Sequence, residues 1–181
     1  MKSVAILFKS NRALATALMH LSKSEPRGVC YIVDKRVHKD LAKAQRDLHS
    51  DGVVSDVIDV GEPACRVDIF KTVFRSAVPS EVVAAMSRIR PCDPEKRPGK
   101  ATKTEVHLLT VHGSKGSEFD TVIVDGPVFK WKDRCVDDFD PVEFVGITRS
   151  KKCLVLTTAL DLVNVDRVVK DNLLTLGAEI F

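Results

Sequence analysis

Short apolar runs alternate with longer amphipathic segments along the first part of the chain. Runs rich in β-branched residues and bounded by polar or glycine-containing turns are typical of buried strands, and they lie at Val4–Phe8, Val29–Val33 and Val53–Val60. Between and after these strands, apolar residues recur every three or four positions, which predicts helices beginning near Asn11 and over 37–49 and 66–74. Ser10 and Asn11 are both suitable N-caps for the first helix. This order of elements predicts a parallel α/β sheet with right-handed crossovers.

The regular pattern weakens after Ser76. A short helix is expected over Ser80–Ile89 with Ser80 as its N-cap, and prolines and basic residues then fill Arg90–Lys100. This composition indicates an exposed linker. With 181 residues, the chain has room for one domain, and we expect a single domain over residues 1–181 that contains this linker or insertion site. The Pro-Gly-Lys-Ala sequence in this segment is not a P-loop, since the first glycine and the Ser/Thr after the lysine are absent.

A polar loop, His112–Asp120, lies between two further predicted strands at Val106–Val111 and Thr121–Val124. Its Gly-Ser-Lys-Gly turn can direct backbone N–H groups outward, and Lys115 adds a positive charge, an arrangement suited to phosphate. A merely solvated turn is the alternative. The last part of the chain predicts a helix that begins at Pro141, a strand at Cys153–Thr157 and a helix at Leu160–Leu174.

Composition narrows the possible locations and ligands. The net charge of +3 permits an anionic partner without requiring one. Five cysteines are scattered along the chain, which favours free thiols in a reducing, intracellular compartment. No apolar run approaches the roughly 20 residues of a membrane span. The acidic residues between Gly126 and Asp140 are expected to form a solvated loop rather than a metal site.

Two segments resemble motifs V and VI of UvrD/Rep-type superfamily 1 helicases. They read T-V-H-G-S-K-G-S-E-F-D-T-V-I-V, from Thr110, and E-F-V-G-I-T-R-S-K-K-C-L-V-L-T, from Glu143. The N-terminal V-A-I-L-F-K-S-N is similar to the strand and loop near motif IV of that family. The three matches occur in the family's order. The resemblance implies the second RecA-like domain of such a helicase, an α/β fold with a parallel sheet and helices on both faces. It also implies that the large insertion of the family is reduced here to a short insertion or linker at about 75–104.

In helicases of this family, ATP lies in the cleft between two RecA-like domains, and single-stranded DNA or RNA crosses both. The first domain supplies the phosphate loop and the acidic Mg²⁺ motif, neither of which this sequence contains. The resemblance therefore implies that ATP and Mg²⁺ are shared with an N-terminal RecA-like domain, in cis or in trans. The chain alone is not expected to hydrolyse ATP.

The resemblance also assigns residues at the nucleotide. Arg149 matches the motif VI arginine that acts as an arginine finger on the γ-phosphate of ATP. Nucleotide contacts are further expected from Glu118 (to the ribose), Gly116 and Lys115. The alternatives are a solvated arginine in a basic run and a Glu118 carboxylate paired with Lys115. Thr148 is expected to orient Arg149.

Nucleic-acid contacts are expected from His112, Asn11 and Thr110, with local caps or buttresses as the alternative. The other four histidines are predicted at the surface or at helix ends, and Phe8, Phe119 and Phe144 in the core. Ser117 departs from the leucine usual at this position. Some viral superfamily 1 helicases have a comparable Gly-Ser-Glu sequence, so a viral or otherwise divergent member acting on RNA stays open.

Two other functional hypotheses remain beside the helicase motor. A stand-alone helicase-like module could bind single strands or a partner protein without hydrolysis, and should then bind oligonucleotides with a salt-dependent affinity. An unrelated phosphate-sensing α/β domain is the third, and it leaves the order of the motifs unexplained.

Overall fold

A computed structural model describes residues 3–23, 29–50, 65–92, 104–125 and 141–157. The strands are β1 (Val4–Phe8), β2 (Val29–Val33), β3 (Ile89–Pro91), β4 (Thr104–Thr110), β5 (Phe119–Asp125) and β6 (Ser150–Thr157). The helices are α1 (Asn11–Lys23), α2 (Lys35–Ser50), α3 (Arg66–Arg75), α4 (Pro79–Ser87) and α5 (Pro141–Ile147). A 3₁₀ turn at His112–Ser114 follows β4.

The six strands form one parallel sheet in the order β3-β2-β4-β1-β5-β6. The chain moves from β1 through β2 to β3 in one direction, and from β4 across β1 to β5 and β6 in the other. Ligand sites of open α/β sheets lie beyond the carboxyl ends of the strands where this direction reverses. Here that place lies beside β1 and β4. The predicted RecA-like α/β fold is confirmed.

Two apolar cores cover the two faces of the sheet. Phe8 and Leu108 belong to the first core, which α1 to α4 complete on one face. Leu7 and Val124 belong to the second core, to which α5 contributes on the other face. Successive strand residues point to opposite faces, so β1 supplies both cores. Parallel strands buried on both faces read as continuous apolar runs, which is the pattern seen at β1 and β2.

Capping chemistry explains where the helices begin. The Ala13 N–H donates to Ser10 Oγ at 3.2 Å, so Ser10, one of the two candidates from the sequence, caps α1. Helix α2 begins at Lys35, earlier than the sequence indicated, because Asp34 Oδ1 accepts the N–H groups of Arg36 and Val37 at 2.8 and 3.3 Å.

The region after Ser76 holds more regular structure than the sequence predicted. Helix α4 begins at Pro79 after Val78 as N-cap, so the prediction of Ser80 as cap was wrong. Proline is well suited to the first turn of a helix, since its missing N–H would have no helical partner there. Ile89 does not end the helix but begins β3, a short strand on β2 that extends into the predicted linker.

Two side chains differ from their predicted surroundings. Phe144 was expected in the core, yet 59% of its surface is exposed on α5. His107 was expected at the surface, yet it is half-buried on β4 with its ring centroid 5.1 Å from that of Phe119. Burial lowers the pKa of His107, and the nearby Glu105 opposes that shift.

Several predicted features lie outside the described residues: the strand at Val53–Val60, the acidic loop and the helix at Leu160–Leu174. No helix within the described ranges is long and apolar enough to cross a membrane.

Candidate functional site

The loop of residues 111–118 leaves the sheet at the carboxyl end of β4. The Val111 N–H donates to the carbonyl of Phe8 at 2.9 Å, which joins the loop to the end of β1. The 3₁₀ turn follows, and Ser114 at its end is fully buried. The Ser114 hydroxyl donates to the carbonyl of Val111 at 2.7 Å, so its burial leaves no polar group unsatisfied.

The same loop ends at the opposite edge of the sheet. On β1, Phe8 is aligned with Thr110 of β4, whereas Val4 is aligned with Thr121 of β5. Strand β5 begins at Phe119, two residues before Thr121. Phe119 therefore lies about six residues of strand length, roughly 20 Å, from the level of Thr110. We call the side at Thr110 the carboxyl edge and the side at Phe119 the amino edge. The loop spans from one edge to the other.

Two glycines fix the course of the loop. Gly116 has a φ of +84°, a conformation that side chains with a Cβ rarely adopt. At Gly113 a Cβ would lie 3.1 Å from Thr110 Oγ1. The Gly113 N–H donates to that same hydroxyl oxygen at 3.1 Å. Both glycines thus serve backbone geometry.

Asn11, Thr110 and Gly113 line one cavity of about 420 Å³ at the carboxyl edge. Thr110 accepts from the Gly113 N–H, and that bond leaves the hydroxyl hydrogen free to donate elsewhere. His112 is exposed next to Gly113. The three residues predicted to contact nucleic acid (His112, Asn11 and Thr110) therefore lie at this edge.

Arg149 lies at the amino edge, where it is half-buried between α5 and the end of the loop. Its Nε donates to the carbonyl of Val145 at 3.0 Å, and Nη2 donates to Thr148 Oγ1 at 2.9 Å. Its Nη1 donates to the carbonyl of Ser117 at 3.3 Å. A cation at the C-terminal end of a helix is also favoured by the helix dipole. The side chain is positioned by three acceptors rather than solvated in a basic run.

Thr148 is held by the last turn of α5. Its hydroxyl lies 2.9 Å from the carbonyl of Phe144 and 3.3 Å from that of Val145. A hydroxyl has one hydrogen to donate and lone pairs to accept with. Thr148 can therefore donate to α5 while it accepts from Arg149, and this is the arrangement expected of an orienting residue.

Two ion pairs join the amino ends of β5 and β6. Lys151 Nζ lies 3.0 Å from Glu118 Oε2, and both side chains are more than half exposed. Lys152 Nζ lies 2.7 Å from Asp120 Oδ1. Glu118 therefore pairs with Lys151, not with Lys115 as the alternative from the sequence had it.

Asp120 also fixes the start of β1. The N–H and the hydroxyl of Ser3 donate to Asp120 Oδ2 at 3.0 and 3.3 Å, and the Asp120 N–H donates back to Ser3 Oγ at 2.9 Å. The hydrogen bond from Lys152, followed by that from the Ser3 backbone, lowers the pKa of Asp120 to about 2. Both stabilise the charged carboxylate.

The structure thus separates the predicted site residues into two groups. Glu118 and Arg149 are near the amino edge, with Gly116 just before them in the loop. Lys115 is exposed, and no ion pair within the described part of the chain involves it. No group of three or more His, Cys, Asp or Glu in the described ranges could hold a metal ion.

The partners that sequence reasoning missed at the amino edge include three that hold Glu118, Asp120 and Arg149. Lys151 and Lys152 were considered only as a solvated run, although their pairing with Glu118 and Asp120 follows once β6 is placed beside β5. The third partner is the carbonyl of Ser117, and a backbone acceptor of this kind leaves no signal in side-chain pattern.

The family model of the UvrD-like helicase C-terminal domain matches residues 105–157. Over that segment, less than a third of the chain, the sequence is similar to the UvrD-like helicase C-terminal domain. The match begins in β4 and ends with β6, and it contains the whole loop and Arg149. The resemblance identified from the sequence is thereby confirmed, although the match leaves the N-terminal half of the sheet outside.

One solved structure aligned with this chain is the C-terminal domain of a possible DNA helicase from Lactobacillus plantarum WCFS1. It is 14% identical, and the alignment covers 93% of this chain and 82% of that chain with a TM-score of 0.26. A likeness at that TM-score is too weak to assign a function to this chain. No curated protein sequence matches the chain.

Proposed function

We propose that this domain is the C-terminal motor half of an ATP-dependent superfamily 1 nucleic-acid helicase. In this proposal Arg149 is the arginine finger at the amino edge, and the carboxyl edge carries part of the single-strand track. ATP and Mg²⁺ are bound mainly by an N-terminal RecA-like domain, in cis or in trans. The family match supports the helicase class, and the two separated groups of residues support the division of labour.

The observation that carries the proposal is the geometry of the Arg149 guanidinium. An arginine side chain has five N–H donors, and three of the five are used by Val145, Thr148 and Ser117. One N–H remains on each of Nη1 and Nη2. Two N–H groups on a planar, permanently charged group suit the oxygens of a phosphate.

The residues present therefore fit the phosphate end of ATP. When bound, ATP supplies a γ-phosphoryl group whose developing charge a positioned arginine stabilises. Arg149 would face that group from this domain, whereas the phosphate loop belongs to the N-terminal RecA-like domain. Glu118 would break its ion pair with Lys151 and accept a hydrogen bond from the ribose. The contact between Arg149 and Ser117 joins this end of the site to the loop that begins beside Thr110.

The carboxyl edge suits a nucleic-acid backbone. Thr110 retains a donor hydrogen, His112 is exposed, and Asn11 lies on the cavity wall. Hydroxyl, amide and imidazole groups are common partners of phosphate and sugar oxygens, and such contacts position a strand without reading its sequence. Whether the strand is DNA or RNA depends on contacts to the sugar.

The test is Arg149→Ala in a motor that contains this domain together with an N-terminal RecA-like domain. ATP turnover should fall by about three orders of magnitude or more, while nucleotide binding measured by equilibrium titration stays within about threefold. Arg75→Ala, which removes an exposed arginine at the end of α3, is the matched control. If Arg149→Ala turned ATP over at the parental rate, the assignment of Arg149 as the arginine finger would be wrong.

A further inference from the structure

The cavity at the carboxyl edge has a second wall that lies outside the family match. The first wall comes from β4 and the loop and includes Thr110 and Gly113. The second wall comes from the beginnings of α1, α2 and α3, and it presents Asn11, Arg36 and Arg66. Neither arginine belongs to a segment that resembles a helicase motif.

The floor of the cavity is apolar. Leu14, Val37 and Leu108 are 1%, 8% and 0% exposed and are shared with the first core. Polar groups are confined to the rim. A concave site with an apolar floor and a few polar groups on its rim is the usual form of a ligand site, and about 420 Å³ is a common size for one.

The rim offers unused positive donors. Arg36 is exposed, and its guanidinium makes no hydrogen bond or ion pair with any described residue. Arg66 pairs through Nε with Asp40 Oδ2 at 3.0 Å, which leaves its two terminal nitrogens for another partner. The acidic group on the rim is Asp34, whose Oδ1 already accepts two N–H groups of α2.

We propose that this second wall binds a phosphodiester group of the single strand, with Arg36 as the main contact and Arg66 as the second. The inference rests on the proposed strand track. A strand that reaches Thr110 on the first wall crosses the mouth of the same cavity, so one strand can touch both walls. A guanidinium offers the paired N–H groups that match phosphate oxygens, and it holds its charge at every physiological pH.

The experiment is a titration of the chain with a fluorescent single-stranded oligonucleotide over a salt series. Arg36→Gln should weaken binding roughly fivefold at low salt and reduce the slope of log affinity against log salt by about 0.7, the share of one phosphate contact. The matched control is Lys43→Gln, which removes one exposed positive charge from α2 two turns further from the edge. It should leave affinity and slope unchanged, and melting curves check that both variants fold.

The outcomes separate this inference from the function on which it rests. If His112→Ala weakens binding while Arg36→Gln does not, the proposed phosphate contact on the second wall is wrong, whereas the proposed strand track is supported. If the parental domain binds no oligonucleotide, the track at this edge is wrong and the inference falls with it. Equal losses in Arg36→Gln and Lys43→Gln would indicate a general charge effect and overturn the inference. The inference would also be overturned if inorganic phosphate bound through Arg36 as tightly as the strand does.

Discussion

The two edges of the sheet differ in how far their polar groups are already engaged. At the amino edge, Arg149, Glu118 and Asp120 are held by hydrogen bonds or ion pairs with neighbouring elements. At the carboxyl edge, Thr110 keeps a donor hydrogen and the Arg36 guanidinium has no described partner, and both residues line an open cavity. The polar side chains of the amino edge are held in place by neighbouring elements, even though Arg149 keeps two N–H donors for a ligand, whereas those of the carboxyl edge are held less.

This difference indicates what each edge can do. Side chains that are already positioned lose little conformational entropy when a ligand binds. The amino edge therefore suits a site in which one cation, Arg149, keeps a fixed orientation. An open cavity with exposed donors favours a partner that slides, since backbone contacts of this kind tolerate any sequence. The loop 111–118 is a direct physical connection between the two edges, because Val111 is bonded to β1 and Ser117 to Arg149.

The largest expected effect comes from a substitution that loosens the position of Arg149 without changing the charge of the amino edge. Thr148→Val removes the oxygen that accepts from Arg149 Nη2 and keeps the side-chain volume. We expect the kcat of the assembled motor to fall roughly tenfold, the cost of one charge-assisted hydrogen bond, with the KM for ATP unchanged. Thr148→Ser restores the hydroxyl and should recover most of the activity. Equal rates in the Val and Ser variants would show that the hydroxyl does not orient the finger.

A smaller effect is expected at Glu118, where a pair of variants separates the loss of an ion pair from the loss of nucleotide binding. Glu118→Gln and Lys151→Gln both break the same exposed ion pair, which contributes at most about 1 kcal/mol to the free energy of unfolding. Only Glu118→Gln removes the carboxylate expected at the ribose. It should raise the KM for ATP about fivefold, whereas Lys151→Gln should not. Similar KM values in the two variants would remove Glu118 from the nucleotide site.

The smallest effect concerns the stability of the amino edge. The pKa of Asp120 is lowered to about 2 from its ordinary value near 4. The charged carboxylate therefore stabilises the fold fully at pH values above about 4. That stability is lost as the pH falls towards about 2. Asp120→Asn should lower the melting temperature at pH 7 by about 3 °C, and the difference from the parental chain should close between pH 4 and pH 2. A difference that did not depend on pH would contradict the role of the charge.

The order and type of most elements could be predicted from sequence because continuous apolar runs and amphipathic periods are local signals. Val4–Phe8 and Val29–Val33 are strands with the predicted bounds. Strand β3 was missed because three residues that include Pro91 carry almost no pattern. A proline is tolerated at the end of an edge strand. The early start of α2 depends on the Asp34 cap, a residue type that is a common N-cap signal in sequence but that the apolar period beginning at Val37 did not include.

The sequence names candidate site residues but not the groups that hold them in place. The identities of Arg149, Glu118 and Gly116 follow from the motif, and the positive φ of Gly116 agrees with its residue type. The separation of the two groups follows from strand register, which a sequence alone does not give. The second wall with Arg36 and Arg66 depends on how α2 and α3 pack against β4, a non-local arrangement without a motif.

The most direct test of the division between the edges compares Arg149→Ala with His112→Ala in the same motor. Strand affinity and ATP turnover at saturating strand are measured for both variants. We predict that Arg149→Ala loses turnover with strand affinity unchanged, and that His112→Ala weakens strand affinity several-fold with saturated turnover near the parental value. If each variant lost both properties to the same extent, the two edges would not have separate functions, and the proposed division of labour would be contradicted.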